Sequence, residues 1–293
     1  MKLQIALIVN KHSGRHFKIK KYRKLKLLLE TLGIVQEFEI RDPIDLKVKS
    51  AQIANEFDLL VIWGGDGTVH GLLNLLKSSM PPVLILPVGS GNDISKICHP
   101  NLSFARIEGA IKNLHFDVMD LIEIKNSDTK YCATVACLGT DARVSKRADM
   151  LPRFLAGARY VIASILEIFM NAPNPISLKS STFNYQGEVS VCSLANTPHY
   201  GGGIHISPLS KTSDARLELV FVPALKRWKL LLLFILLLFK MHNRSKEIKF
   251  LSTNEIQVEP ISEKVEIWAD GQFICLLPAT IKIADFKLKY LRV

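Results

Sequence analysis

Three short stretches of this 293-residue chain place small residues, hydroxyls and a carboxylate where hydrophobic runs break off. IALIVN leads into NKHSG (Asn10 to Gly14), DLLVIW into GGDGT (Gly64 to Thr68), and VLILPV into GSGND (Gly89 to Asp93). Each offers backbone N–H groups unshielded by a Cβ, or a hydroxyl, at a point where helical periodicity resumes. That is the chemistry that holds a phosphate. Glycine loops also simply make tight turns, so one such loop would say little; three behind successive apolar runs say more. Asp66 needs a reason of its own. A carboxylate repels phosphate unless a cation lies between them or the carboxylate moves a proton, which makes Asp66 a candidate for Mg²⁺ positioning or for a general base. Neither GxxxxGK[ST] nor GxGxxG behind a strand occurs, so a P-loop and a dinucleotide fingerprint are unsupported.

Loops of this kind need strands that end level with one another. IALIVN, DLLVIW and VLILPV are continuous apolar runs, EFEI reads as a strand, and helical patterns lie between them. The first helix is basic with Leu25, Leu28, Leu29 and Leu32 on one face and Gly33 as its stop; others are expected over Ile44 to Phe57 and Val69 to Ser78. This predicts a mostly parallel sheet covered on both faces, with ligands beyond the carboxyl ends of its strands. After about Asp120 the pattern changes. LIEIK, KYCATVACL, EVSVCSLAN, RLELVFV, EIKFL, EIQVE, KVEIWADGQFICLL and TIKIADFKLKYL read as strands separated by turns, interrupted by helices over Ala158 to Met170 and Trp228 to Met241. The expected architecture is an α/β N-terminal domain, 1–120, followed by a mainly antiparallel β domain, 121–293, whose last residues could pack back on the first.

The formal net charge is +11, with basic clusters over Lys11 to Lys26 and around Lys226 to Lys249. A basic surface serves nucleic acid, an anionic membrane or a polyphosphate ligand. The first cluster lacks interleaved aromatics beyond Phe17 and Tyr22, and no recognised binding motif accompanies either cluster, so a nucleic-acid module is not expected. The apolar run Leu230 to Phe239 would reach only about 15 Å as a helix against a hydrocarbon thickness near 30 Å. It reads as a core helix, or as one that dips into a single leaflet held by Lys226, Arg227, Lys229, Lys240 and Arg244. The five scattered cysteines form no metal-ligand spacing and no disulfide framework, and no signal peptide is recognised, so a reduced, cytoplasmic protein is expected. His199 and His205 flank a Gly-Gly-Gly run without a third ligand in register for zinc. Trp63, Trp268, Cys137 and Cys192 read as packing residues.

The ordered set of motifs resembles the diacylglycerol kinase catalytic-domain family, which includes bacterial lipid kinases, sphingosine kinases and ceramide kinase. The resemblance rests on N-x-x-S-G, GGDGT and P-x-G-S-x-N-D, then FDVMDLI, LANTPHYGGGIHISPLSKTSDARLEL and IWADGQ. GGDGT alone is shared with NAD kinases and phosphofructokinases. The resemblance implies an ATP- and Mg²⁺-dependent transfer to a lipid hydroxyl, diacylglycerol-like by preference, with the protein peripheral to a membrane and a homodimer left open. It implies ATP phosphates over Asn10, Ser13, Gly14, Gly64, Gly65, Asp66, Gly67 and Thr68, with Ser90 and Asn92 nearby. Asp66 would serve the Mg-ATP and proton-transfer network, assisted by Asp117, with Asp120 as the competing choice. A structural Mg²⁺ would be held by Asp214 and the backbone carbonyls of Lys211 and Arg216.

Departures from the family pattern bear on activity. Gln272 stands where the family has the glutamate taken as the base for the lipid hydroxyl, and an amide cannot accept that proton. Either Asp66 takes the role or the chain is an attenuated kinase, or a binding protein for nucleotide or lipid. A kinase of a soluble substrate, related to NAD kinase, is a further reading. His70 and Gly71 replace the usual Asn and Glu after GGDGT, while Asn74 stays. Ala215 replaces the glycine after Asp214 and puts that loop's backbone geometry in question.

Overall fold

The computed structural model describes residues 2–14, 17–152, 155, 157–170 and 172–293, and the chain forms two compact units, Met1–Met119 with Phe286–Val293 and Asp120–Asp285. In the first unit, β1 (Leu3–Val9), α1 (Ile19–Leu32), β2 (Gly33–Glu39), α2 (Pro43–Glu56), β3 (Leu59–Gly64), α3 (Asp66–Leu76) and β4 (Val83–Pro87) alternate. They are followed by α4 (Asp93–Cys98), α5 (Phe104–Asn113) and β5 (Phe116–Met119). β1, β2, β3 and β4 are parallel, and the unbroken apolar runs of β1, β3 and β4 are what a sheet buried on both faces requires. α1 buries Tyr22, Leu25 and Leu29 and leaves its lysines toward solvent.

Register explains the site. Val9 pairs with Trp63, and Gly64 with Pro87, so β1, β3 and β4 end together and their three loops emerge side by side. The helix after GGDGT begins at Asp66, not at Val69: Gly65 is its N-cap, and the amides of Thr68 and Val69 donate to the Gly65 carbonyl. Asp66 at the first helical position suits the positive end of the helix dipole, and three of the five residues of GGDGT are helix rather than loop.

The strand pairings of the second unit are antiparallel. Its strands are β6 (Ile122–Lys125), β7 (Thr129–Cys132), β8 (Val135–Gly139), β9 (Asn174–Lys179), β10 (Asn184–Ala195), β11 (Leu217–Pro223) and β12 (Lys249–Thr253). They continue as β13 (Glu255–Pro260), β14 (Glu266–Ala269), β15 (Gln272–Leu276) and β16 (Ala279–Ile283), with α6 (Thr140–Met150), α7 (Ala158–Met170) and α8 (Arg227–Leu238) between strands. The sheet runs β15-β14-β8-β10-β9-β13-β16-β6-β7, with β11 and β12 branching from β10. The long β10 pairs with β9 through its first half and with β8 through its second, and the pairing with β11 is irregular at Ser190. The strand thereby passes from one group of partners to the other, which is how sheet corners are made.

Three apparent strands of the sequence divide, KVEIWADGQFICLL among them, into β14 and β15. KYCATVACL breaks at Ala133 and Thr134 into β7 and β8. TIKIADFKLKYL breaks into β16, in the second unit, and β17 (Leu288–Leu291), which enters the first sheet between β4 and β5, parallel to one and antiparallel to the other. Leu288 and Leu291 are buried there, so this last strand is core to the first unit.

Candidate functional site

At the carboxyl ends of β1, β3 and β4 the backbone is packed too closely for side chains. An ideal Cβ on Gly89 would stand 2.6 Å from the Cα of Gly65, and one on Gly14 would stand 2.2 Å from the Val88 carbonyl oxygen, with φ at +82°. A Cβ on Gly65 would meet Gly89 Cα at 3.0 Å and Ser13 Oγ at 3.1 Å. The three loops therefore form one cradle. Asn10 ties two of them, its Nδ2 donating to Thr68 Oγ1 at 3.1 Å while its Oδ1 accepts the His12 amide at 3.0 Å. Gly64 lies against the Thr68 side chain, where a Cβ would come within 2.7 Å. Asn92, in the left-handed region at φ 58°, grips Gly89 from both sides: Oδ1 accepts its N–H at 2.7 Å and Nδ2 donates to its carbonyl at 2.8 Å. Asp66 Oδ1 accepts the Ile94 amide at 3.1 Å, which links the head of α3 to α4.

This places Asn10, Ser13, Gly14, Gly64, Gly65, Asp66, Gly67 and Thr68 together, with Ser90 exposed on the third loop. The first-turn amides of α3 point along the helix axis, that of Thr68 donating to the Gly65 carbonyl, and a helix start of this kind suits an anion. Asn92 shapes its loop through both side-chain ends. Gly89, which sequence reasoning passed over as an individual residue, is where the second and third loops approach most closely; its signal was its place directly behind VLILPV.

Asp117 lies on β5 and is clasped by the Arg292 guanidinium from the chain's end, Nε donating at 2.9 Å. That bond holds its carboxyl below the usual range. Asp120 belongs to the second unit and to the loop around Asp214. It is buried, its N–H donates to the Thr212 carbonyl at 2.6 Å, and its Oδ2 accepts the Ala215 amide at 2.7 Å. Asn196, from the LAN motif, donates to the carbonyls of Asp120 and Ala133.

Ala215 adopts φ 57°, the conformation a glycine would take, so the replacement keeps the left-handed turn. Asp214 is exposed and its Oδ1 accepts the Arg216 amide at 3.2 Å. Among the described residues no cluster of three or more His, Cys, Asp or Glu side chains could hold a metal ion. The set that the family resemblance implies for a cation on this loop, the Asp214 carboxylate with the main-chain oxygens of Lys211 and Arg216, draws two of its three donors from the backbone. Such an all-oxygen set suits a hard cation such as Mg²⁺.

The second unit also holds an apolar cleft of about 650 Å³, its open mouth included, lined by α7, α8 and the strands beneath them, among them Ile168, Val191, Val222, Leu230 and Phe234. A polar cluster reaches it through Asp141 and Tyr200. The Asp141 carboxylate accepts hydrogen bonds from the hydroxyls of Ser193 and Tyr200. Burial, and then the Asp141 charge, push the Tyr200 hydroxyl well above its ordinary value. Sequence analysis missed this trio because Ser193 and Tyr200 stand 52 and 59 residues from Asp141, with no motif joining them. His199 and His205 stack with ring centroids 6.4 Å apart.

Residues 4–124 match the diacylglycerol kinase catalytic domain, and residues 134–292 match the YegS C-terminal NAD kinase beta sandwich-like domain. A diacylglycerol kinase of Mycobacterium tuberculosis is 30% identical over 247 residues, covering 83% of this chain and 79% of that protein. The chain belongs to the diacylglycerol kinase catalytic-domain family. The family's Bacillus subtilis diacylglycerol kinase is 22% identical over 227 residues, covering 76% of this chain and 74% of its own. A crystal structure of a diacylglycerol kinase from Bacillus anthracis shares the fold with TM-score 0.80 at 20% identity, covering 100% of this chain and 98% of that one. An Archaeoglobus fulgidus NAD kinase solved with ATP shares it with TM-score 0.58 at 16% identity, covering 99% and 93%.

The family's D-G-E turn is a hairpin here. Asp270 and Gly271 both have positive φ, 50° and 75°, as a two-residue turn between β14 and β15 demands. The Asp270 carboxylate accepts the amides of Ala133 and Thr134, both at 2.9 Å, and the Thr134 hydroxyl at 2.6 Å. It pins the break between β7 and β8. Gln272, next in line, is exposed and donates locally, to the Gly271 carbonyl at 3.1 Å. His70 and Asn74 of α3 interact one turn apart, with Asn74 Nδ2 3.3 Å from His70 Nε2.

Proposed function

We propose that this chain transfers the γ-phosphoryl group of ATP to the hydroxyl of a diacylglycerol-like lipid, with Mg²⁺ as companion cation. The observation that carries the reading is the cradle of Gly14, Gly65 and Gly89, closed to any Cβ and headed by the first turn of α3. In the transfer the lipid hydroxyl oxygen bonds to the γ-phosphorus, the bond to the β–γ bridging oxygen breaks, and ADP leaves with that electron pair. The amides of α3 and the loop backbone hold the phosphates in place. Asp66, fixed by the Ile94 amide, receives the hydroxyl proton. When bound, Mg²⁺ would offset phosphate charge beside Asp66 in the first unit, while the Asp214 loop offers a separate set of hard oxygens in the second. The apolar cleft of the second unit and the names of the relatives support a lipid acceptor.

The test is γ-labelled ATP with mixed micelles of diacylglycerol, monoacylglycerol, sphingosine, ceramide and phosphatidylglycerol. A labelled lipid that vanishes in Asp66→Asn is expected. Transfer of the label to NAD offered in place of the micelles, or no labelled lipid despite retained ATP binding, would overturn the reading. Gln272 favours a second reading, an attenuated kinase. Because Gln272 is exposed, Gln272→Glu should fold unchanged; a rise in turnover is the expected result, and a fall would show that the amide itself is used.

A further inference from the structure

α7 and α8 each carry two apolar faces. The inner faces, with Ile168, Leu230, Leu233 and Phe234, pack into one hydrophobic cluster of the second unit. The outer face of α7 presents Ile162, Ile165, Leu166, Phe169 and Met170, spaced by three and four residues, with Phe169 60% exposed. That of α8 presents Trp228, Leu232, Ile235, Leu238 and then Phe239, at the same spacing; Trp228 is 61% and Phe239 72% exposed. The two helices contact each other and share that cluster, and both rows are exposed on their sides away from it. Two exposed apolar rows on contacting helices of one folded unit mark an interaction site.

The surroundings select the occupant. From 224 to 249 the chain holds seven Lys or Arg and a single acid, Glu247, which is paired with Lys229. Lys226 and Arg227 stand exposed at one end of α8, and Lys240, Arg244 and Lys246 at the other. Lys229 Nζ lies 5.7 Å from the Trp228 ring centroid, an amphipathic ring beside a cation at the edge of the apolar row. Aromatic and basic residues bracketing a leucine-rich helix match a bilayer interface with anionic headgroups. α8, of 12 residues, is about 18 Å long and cannot cross about 30 Å of hydrocarbon, and no described helix is long and apolar enough to do so.

We propose that the paired outer faces of α7 and α8 form a monotopic docking surface that lies in one leaflet of an anionic membrane. This deepens the lipid-kinase reading by naming how the second unit meets its lipid phase, and its test does not depend on turnover. The full chain is floated with vesicles of phosphatidylcholine, with and without one-third phosphatidylglycerol. Binding to the anionic vesicles is expected, with a blue shift of Trp228 emission that Trp228→Phe removes; Trp63 and Trp268 are already buried. Leu232→Glu with Ile235→Glu, and separately Leu166→Glu with Phe169→Glu, should each lower partitioning by about tenfold or more while far-UV dichroism and ATP binding stay unchanged. Neutralising Lys226 and Arg227 should cost about fivefold per cation at low salt.

Wild-type protein that ignores anionic vesicles, or variants that bind as well as wild type, would overturn the proposal. So would a dimer in sedimentation, without vesicles, that the glutamate variants dissolve, since a second copy would then be the occupant. A short-chain acceptor dispersed as monomers separates the two readings. Phosphorylation of it by wild type and glutamate variants alike leaves the kinase standing whatever the vesicles show; failure with it in all forms, with vesicle binding intact, removes the kinase and keeps the docking surface.

Discussion

The pair Asp66-Gly67 and the pair Asp270-Gly271 are the same dipeptide set in opposite backbones. At Asp66 the chain runs straight on into α3, the carboxylate accepts the Ile94 amide of α4, and the surrounding glycines keep side chains out of the cradle. At Asp270 both residues turn left-handed, and the carboxylate accepts two amides and a hydroxyl from the β7–β8 break. One Asp stands at the head of a helix beside a cradle closed to side chains; the other staples a hairpin to a strand break. A carboxylate next to glycine is thus a candidate for chemistry where the backbone around it faces a ligand, and a structural bolt where that backbone faces the fold.

The sharpest way to break this contrast is to neutralise each carboxylate. Asp66→Asn keeps the Oδ1 that accepts the Ile94 amide, so thermal stability should hold while turnover falls by about 10²–10⁴, the range for loss of a general acid–base group. Radiolabel transfer and a melting curve on the same preparation check both halves. Asp270→Ala should do the reverse. It strands three donors and sets alanine at φ 50°, with an expected destabilisation of about 3–4 kcal/mol measured by denaturant titration. Asp270→Asn should recover much of that, since asparagine accepts one or two of the bonds and tolerates the turn. Equal loss of turnover per folded molecule in both Asp variants would break the comparison.

Acid sharpens it from another side. His99, after α4 in the first unit, is buried with its ring edge-on to Tyr290, and burial lowers it from 6.5 to about 4. The unfolded chain binds that proton near pH 6.5 while the native state refuses it until about 4. Stability from this group is therefore complete above about pH 6.5, falls as pH drops, and is gone below about pH 4, a change of about 3 kcal/mol. His99→Phe should flatten part of the acid limb of a stability-versus-pH curve. What remains falls to groups such as His242 in the second unit, which burial lowers in the same direction.

How much of this was legible in the sequence follows the same division. The parallel sheet and its three loops were readable because β1, β3 and β4 are buried on both faces and so are written as unbroken apolar runs. The start of α3 at Asp66 was obscured because glycine is a poor helix former, and only the capping geometry at Gly65 shows that the turn has begun. α5 and α6 lie outside the expected elements: α6 buries Thr140, Asp141 and Ser145, polar residues that give no apolar period to read. Asp117 and Asp120 are three residues apart, yet one is clasped by Arg292 and the other underlies a loop 95 residues on; long-range pairing of that kind leaves no mark in local pattern. Which sheet β17 joins was left open for the same reason, since nothing in LKYL says so.

The smallest test concerns the third Asp of this kind, Asp214, whose following residue is alanine. At φ 57° a non-glycine residue is disfavoured by about 1–2 kcal/mol, while glycine loses more chain entropy on folding. The two effects oppose, so Ala215→Gly should stabilise by less than about 1 kcal/mol, a rise in Tm of about 2 °C for a chain of this size. Its value lies in the Mg²⁺ dependence. If the Ala215 N–H bond to Asp120 already fixes the loop, the rise in Tm produced by added Mg²⁺ should be the same in the variant and the wild type, because the turn is the same in both. A larger Mg²⁺ response in the variant would mean that alanine strains the Asp214 loop away from the cation. Side-chain bulk, kept out of the first unit's cradle by glycine, would then weaken the binding of a cation in the second unit.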